Sequence, residues 1–224
     1  MDKETKKIDG LPVYKLTVNE CSEGYCDTTE TNFISLVSQP AIEVDFISFS
    51  KETIKPQTFK IQDSSKHMLV GPLMIADLPI YRKDPETGDE YYVVFDADAI
   101  ENCAKNFAKK NYNSNINMEH DSLVDNAYLL ESWIVADPKK DKSAAYGFKN
   151  VTKGSWMGVV YCPNETIWNQ YIKNGTLKGF SVEGLYQFSP VQADGFSKQE
   201  KLTPEEEKTI DNLTQIILKN KNFM

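Results

Sequence analysis

Apolar and polar residues alternate with a period of two in several stretches of the chain, which is typical of β-strands that bury one face. The alternation recurs in short runs separated by turn residues, which predicts many short strands and a mostly β fold. The alternation is clear at 33–41, 44–49 and 180–185, and further strand-like runs lie at 13–18, 59–61, 68–75, 91–95, 115–120, 127–136 and 154–161. The turn-forming cluster at 81–90 joins two of the strand-like runs and predicts a β-hairpin.

Helical spacing of apolar residues occurs in only three places. Asp96 is a good N-cap, and the apolar residues behind it predict an amphipathic helix over 97–110. A proline near its start and a glycine after its end predict a second, shorter helix over 164–174. Thr203, Pro204 and a run of acids predict a C-terminal helix over 203–221. The fold class is therefore α+β.

We expect three regions along the chain. Residues 1–32 form an N-terminal strand and loop, and residues 33–188 form the main domain. Residues 189–224 form a polar linker and the C-terminal amphipathic helix, which has an apolar stripe that must be covered either by this chain or by a partner.

Composition and charge exclude several classes of protein. The chain has 224 residues, of which 40% are hydrophobic and 26% charged, as in ordinary globular proteins. A net charge of -8 disfavours binding to the phosphate backbone of nucleic acid. No apolar run approaches the roughly 20 residues of a membrane span, and we expect neither a membrane contact nor a signal peptide.

Cysteine and histidine usage indicates neither a metal site nor a disulfide framework. Four cysteines and two histidines occur, and their spacing does not match a zinc site. We expect reduced thiols in a cytosolic protein, with no metal and no nucleotide cofactor, since the chain has no glycine-rich phosphate loop either.

Ser181 is the candidate nucleophile. It lies in a strand-like segment between Gly179 and Gly184, and glycine within a strand often marks a bulge or a close backbone approach. The chain offers only His67 and His120 as a histidine base, and His120 follows a strand with an acid on each side. Taken alone, each of these residues is equally compatible with an ordinary structural role.

The order of several motifs resembles one protein family. Two motifs, Val37–Ala41 and Gly71–Leu73, come first and are followed by the strand that ends in His120. Four further segments follow that strand in the sequence: Tyr128–Ile134, Gly154–Gly158, Trp168–Lys173 and Gly175–Gly184. Over residues 33–188 this combination resembles the XkdF-like serine proteases of tailed phages. The stretch Asn115–His120 is also similar to the histidine strand of herpesvirus assemblin.

The resemblance implies a prohead protease that matures the phage capsid. It implies an assemblin-like fold, in which a curled antiparallel sheet or barrel carries flanking helices. Ser181 then corresponds to the nucleophile and His120 to the general base. The implied substrates are scaffold and major capsid proteins, cleaved inside the procapsid or virion in the host cytoplasm, and self-association is expected. We predict that Ser181 Oγ and His120 lie within hydrogen-bond reach.

The third catalytic residue is less clear, because no histidine follows Ser181. Glu131 is the first candidate, since its strand should pair beside the His120 strand and a buried carboxylate needs a partner. Asp121 and Glu183 are the alternatives. The resemblance implies an oxyanion hole formed by a backbone amide near arginine residues that follow the serine, but no arginine follows Arg82. The remaining candidates for the oxyanion hole are the backbone amides near Gly179 and Gly184.

A second class of function fits the same resemblance. The chain could be a non-enzymatic structural protein of the virion or of head assembly, built on the same fold with an idle dyad. The presence of both Ser181 and His120 favours the enzyme.

Overall fold

The computed structural model describes residues 5–18, 29–40 and 58–192. The described chain is mostly β with few helices, which confirms the α+β prediction. Its strands are β1 Lys7–Ile8, β2 Leu11–Thr17, β3 Glu30–Val37, β4 Lys60–Asp63, β5 Met68–Met74, β6 Ile80–Lys83, β7 Glu90–Val94, β8 Ile116–Met118, β9 Ser122–Leu123, β10 Tyr128–Ile134, β11 Trp156–Tyr161, β12 Gly179–Leu185 and β13 Gln187–Pro190.

Both helices that the sequence predicts within this region are present. Helix α1, Ala97–Lys109, is capped by the Asp96 carboxylate, which accepts a hydrogen bond from the Ala99 amide at 2.9 Å. The second predicted helix consists of α3, Glu165–Ile167, and a π-helical turn, Trp168–Ile172. The remaining helical segments are α2, Lys142–Ala145, and a 3-10 turn, Tyr112–Ser114.

The chain divides into two compact units. Among the described residues, the smaller unit comprises 5–16, 79–94 and 188–192. It holds the sheet β1-β2-β7-β6, with β13 paired to β2, and the hairpin predicted around 81–90 joins β6 and β7. The larger unit contains the sheets β10-β11-β5-β4 and β12-β3-β8-β9. The predicted boundaries at residues 32 and 188 stay a prediction.

Two of the three sheets are mixed, whereas the sequence predicts antiparallel pairing; the sheet β10-β11-β5-β4 is antiparallel throughout. Strand β3 runs parallel to β8, and β2 runs parallel to β7. The long connection from β3 to β8 contains α1, and a crossover of that kind lets two strands of one sheet run in the same direction. The described strands form no closed barrel, and the assemblin-like curvature stays a prediction.

The core of the larger unit anchors the strand that carries Ser181. Phe180 is 1% exposed, and its ring lies 5.2 Å from that of Phe59. Successive side chains of a strand point to opposite faces. Burial of Phe180 on one face therefore turns Ser181 and Glu183 together toward the other face.

Some predicted features lie outside the described residues, namely the strand at 44–49, the C-terminal helix 203–221, Cys21 and Cys26. Cys103 and Cys162 are free, buried thiols, and burial raises the pKa of each to about 11. Within the described ranges, no helix is both long and apolar enough to cross a membrane.

Candidate active site

Three neighbouring strands bring the candidate residues into one row. Ser181 on β12 is paired with Ser35 on β3, and Ser35 is in turn paired with Asn117 on the parallel strand β8. Residues that face each other across a ladder project from the same side of the sheet. Ser181, Ser35 and Asn117 therefore lie side by side, and β8 leads directly into the turn that carries His120.

Glu183 is the centre of a hydrogen-bond network on this face. Its Oε1 accepts a hydrogen bond from Ser35 Oγ at 2.6 Å and another from Asn117 Nδ2 at 2.6 Å. The same oxygen lies 3.1 Å from His120 Nδ1. Ser35 Oγ also lies 3.0 Å from His120 Nδ1, so serine, carboxylate and imidazole are in mutual contact.

The network keeps Glu183 ionised at neutral pH. Burial alone would raise the pKa of this carboxyl group, but hydrogen bonds from Ser35, Asn117 and His120 outweigh burial and hold the pKa below its ordinary value. An ionised carboxylate beside an imidazole stabilises the protonated ring. Glu183 is therefore suited to orient His120 and to stabilise its positive charge during proton transfer.

His120 has a left-handed backbone conformation, which residues other than glycine rarely adopt. Glu119 and His120 have φ values of 52° and 60°, and the Asp121 amide donates to the Met118 carbonyl at 3.1 Å. Both central positions of this turn lie in the left-handed region, which glycine and asparagine adopt most readily. Glu119 stabilises the turn from one side, because its Oε1 accepts a hydrogen bond from the Ser38 amide at 2.8 Å.

Glycine at position 120 is expected to give a more stable protein than alanine does. Both His120→Gly and His120→Ala remove the imidazole, but only alanine retains the steric cost of positive φ, on the order of 1 kcal/mol. Urea denaturation of the two variants measures the difference. The control pair is Ser122→Gly and Ser122→Ala on exposed β9, where the order should reverse. Equal stability of the two His120 variants would show that this turn stores no strain.

Glu131 lies on a strand of a different sheet from β8, the strand that leads to His120. Strand β10 pairs with β11, in a different sheet from β8, so the predicted pairing of the Glu131 strand with the His120 strand is wrong. Glu131 forms an ion pair with Lys142. The alternating pattern identified the strand, but strand order within sheets depends on long-range contacts that periodicity does not encode.

The two remaining acidic candidates have different surroundings. Asp121 is exposed, and the structure gives its side chain no hydrogen bond or ion pair within the described residues. Glu183 contacts His120 directly. Of the three carboxylates named from the sequence, Glu183 is therefore the one that the geometry favours.

The glycines on either side of Ser181 both allow close backbone approach, as the sequence predicts. A Cβ atom on Gly179 would lie 2.7 Å from the Pro40 ring, and one on Gly184 would lie 2.0 Å from the Glu30 carbonyl oxygen. The ladder shifts register between Glu183 and Gly184, which marks a bulge directly beside the carboxylate.

Ser181 itself is 8% exposed. Among the described residues, no hydrogen bond joins its Oγ to His120, and none involves His120 Nε2. Catalytic hydrogen bonds are often long in the free enzyme and shorten when substrate binds. The predicted contact between Ser181 and His120 stays a prediction.

Comparison with known families gives one match. Residues 80–188, just under half of the chain, match the family model described as "Putative phage serine protease XkdF". Over these residues the chain is similar to that family. The resemblance seen in the sequence is thereby confirmed for residues 80–188. No curated protein and no solved structure matches the chain.

The matched region contains His120, Ser181 and Glu183, whereas Ser35 precedes it. Sequence analysis missed two members of the network, Ser35 and Asn117. Both occupy alternating strands, where a polar residue ordinarily indicates the solvent face. The pairing of β3 between β12 and β8 makes them neighbours of Glu183, and no local signal in the sequence predicts that pairing.

Proposed function

We propose that this protein is a phage serine endopeptidase in which Ser181 is the nucleophile, His120 the general base and Glu183 the orienting acid. One observation carries the proposal: His120 Nδ1 lies 3.1 Å from Glu183 Oε1, on the strand that bears Ser181. An acid that orients an imidazole beside a serine strand is the arrangement that acyl transfer requires. The match to a serine protease family supports the same assignment.

The reaction proceeds through an acyl-enzyme. His120 Nε2 takes the proton from Ser181 Oγ as that oxygen bonds to the peptide carbonyl carbon. The tetrahedral intermediate then collapses, the C–N bond breaks, and His120 donates its proton to the leaving amine. Water activated by His120 hydrolyses the ester and restores the Ser181 hydroxyl. Glu183 stabilises the positive charge on His120 in both halves of the cycle.

The proposed substrates are scaffold and major capsid proteins of the same phage, cleaved within the procapsid during head maturation. The resemblance of residues 33–188 to prohead proteases supports this choice, as does the phage origin of the matched family. Association of the protein with copies of itself or with the scaffold would bring the protease to its substrates as the shell assembles.

A fluorophosphonate probe tests the proposal without knowledge of the cleavage sequence. We expect the probe to modify Ser181 of the full-length protein: the Oγ–P bond forms, the P–F bond breaks, and the serine proton passes to His120. Mass spectrometry locates the modified residue. Ser181→Ala and His120→Gln should abolish labelling, and Ser155→Ala, at a buried serine directly before β11, should not.

Coexpression with the scaffold and capsid proteins of the phage tests the substrates. Cleavage of either protein by the native chain, and not by Ser181→Ala, is the expected result. A native protein that resists the probe and still assembles with the head proteins would instead identify a structural component with an idle dyad.

A further inference from the structure

Ser35 contacts the candidate dyad but cannot act on a substrate. Its side chain is fully buried, with 0% exposure, and lies beneath Glu183 and His120. A hydroxyl group has a single proton. Ser35 donates that proton to Glu183 Oε1 at 2.6 Å, so its oxygen can only accept a hydrogen bond from His120 Nδ1 at 3.0 Å.

Asn117 supports the same carboxylate from the neighbouring strand. The residue is 4% exposed, and its Nδ2 donates to Glu183 Oε1 at 2.6 Å. Its Oδ1 is buried and has no hydrogen-bond partner among the described residues. A buried acceptor without a partner reduces stability. The benefit that offsets this cost is the hydrogen bond from Nδ2 to Glu183.

We propose that Ser35 and Asn117 are positioning residues that fix His120 in the tautomer with the proton on Nδ1, through their hydrogen bonds to Glu183. The proposal rests on the proposed peptidase function and extends it to two residues outside the dyad. It also assigns a catalytic purpose to a residue, Ser35, that lies outside the region matched by the family.

The assignment follows from what faces Nδ1. Glu183 Oε1 and Ser35 Oγ both approach this nitrogen, and both are acceptors toward it. Two acceptors require a proton on Nδ1, which leaves Nε2 unprotonated in the neutral ring. An unprotonated Nε2 is the form that can accept the proton of a serine nucleophile.

Asn117 and Ser35 both stabilise the carboxylate of Glu183 by hydrogen bonds. Each donates to the same oxygen from an adjacent strand, so loss of one donor leaves the other in place. A single substitution should therefore weaken the arrangement, and a double substitution should release both the carboxylate and the ring.

The test combines two measurements on Ser35→Ala and on Ser35→Ala/Asn117→Ala. The first is the rate constant of fluorophosphonate labelling at Ser181. The second is ¹⁵N NMR of the ring nitrogens, which distinguishes the two tautomers of a neutral imidazole. Because the chain has only two histidines, His67 serves as an internal reference and His120→Gln assigns the signals.

We expect Ser35→Ala to lower the labelling rate constant about 10-fold, the worth of one hydrogen bond to a charged group. In the double variant, the ¹⁵N signals of His120 should move toward those of an imidazole that exchanges freely between its two tautomers, while the His67 signals stay in place. Ser155→Ala also removes a buried hydroxyl that accepts a backbone hydrogen bond, and should leave labelling within about twofold of the native rate.

The two readouts separate failure of this inference from failure of the proposed function. If Ser181 is labelled and neither variant changes the rate or the tautomer, the positioning role is wrong and the peptidase remains. If Ser181 is never labelled but the double variant still alters the His120 tautomer, the positioning role holds and the peptidase is wrong. A Ser35→Ala variant that labels no more slowly than Ser155→Ala overturns the role of Ser35.

Discussion

Glu183→Gln is expected to slow acylation of Ser181 by up to about 10⁴-fold, the loss seen when the acid of a serine–histidine–acid triad is replaced by its amide. The glutamine amide has nearly the same shape as the carboxylate, so the fold should persist. It has no charge to stabilise protonated His120, and its NH₂ group can turn toward Nδ1 and favour the wrong tautomer. The fluorophosphonate labelling rate measures the loss.

Glu131→Gln is the matched control for this experiment. Glu131 is also a strand glutamate of the larger unit, but its carboxylate pairs with Lys142 and not with His120. We expect its labelling rate to stay within about twofold of the native rate, since exposed ion pairs contribute at most about 1 kcal/mol. A strong loss in Glu131→Gln with normal labelling in Glu183→Gln would return the orienting role to Glu131.

Gly184→Ala is expected to lower the free energy of unfolding by about 3 kcal/mol, at the upper end for an overpacked site. The added methyl group would lie 2.0 Å from the Glu30 carbonyl oxygen and 2.7 Å from the Tyr186 hydroxyl group. The first of these is a backbone atom in the paired strand, so relief requires β12 to move away from β3. Urea denaturation measures the loss.

Gly88→Ala provides the comparison for Gly184. Gly88 has a φ of +76° but no atom near the position of an added Cβ. Its substitution should therefore cost only the backbone strain, about 1 kcal/mol. If Gly184→Ala lowers the free energy of unfolding no more than Gly88→Ala does, then the close approach of β12 to β3 does not constrain β12.

Local patterns were sufficient to predict most elements of the fold. The period-two runs identified β12 and β8, and the Asp96 cap identified the start of α1, because these features depend on residues close together in the chain. Strand order was not predictable in the same way. The position of β3 between β12 and β8 results from packing among segments far apart in sequence.

The same distinction applies to the site. Ser181 and His120 were named as candidates from their immediate neighbours and from the family resemblance, and their catalytic roles stay a prediction. Glu183 could be named only as one of three carboxylates, since its contact with His120 requires the turn after β8 to reach β12. Ser35 and Asn117 carry no local signal, because an isolated polar residue in a strand ordinarily faces water.

The order in which the strands are synthesised has a consequence for when the site can form. The hydrogen bond between Ser35 and Glu183 spans 148 positions of the chain, and β12 is the last strand of the larger unit to leave the ribosome. A nascent chain that already includes β3 and His120 still lacks both Ser181, the proposed nucleophile, and Glu183, the proposed orienting acid. For the proposed peptidase, this order means that proteolytic competence arises only after translation has passed β12.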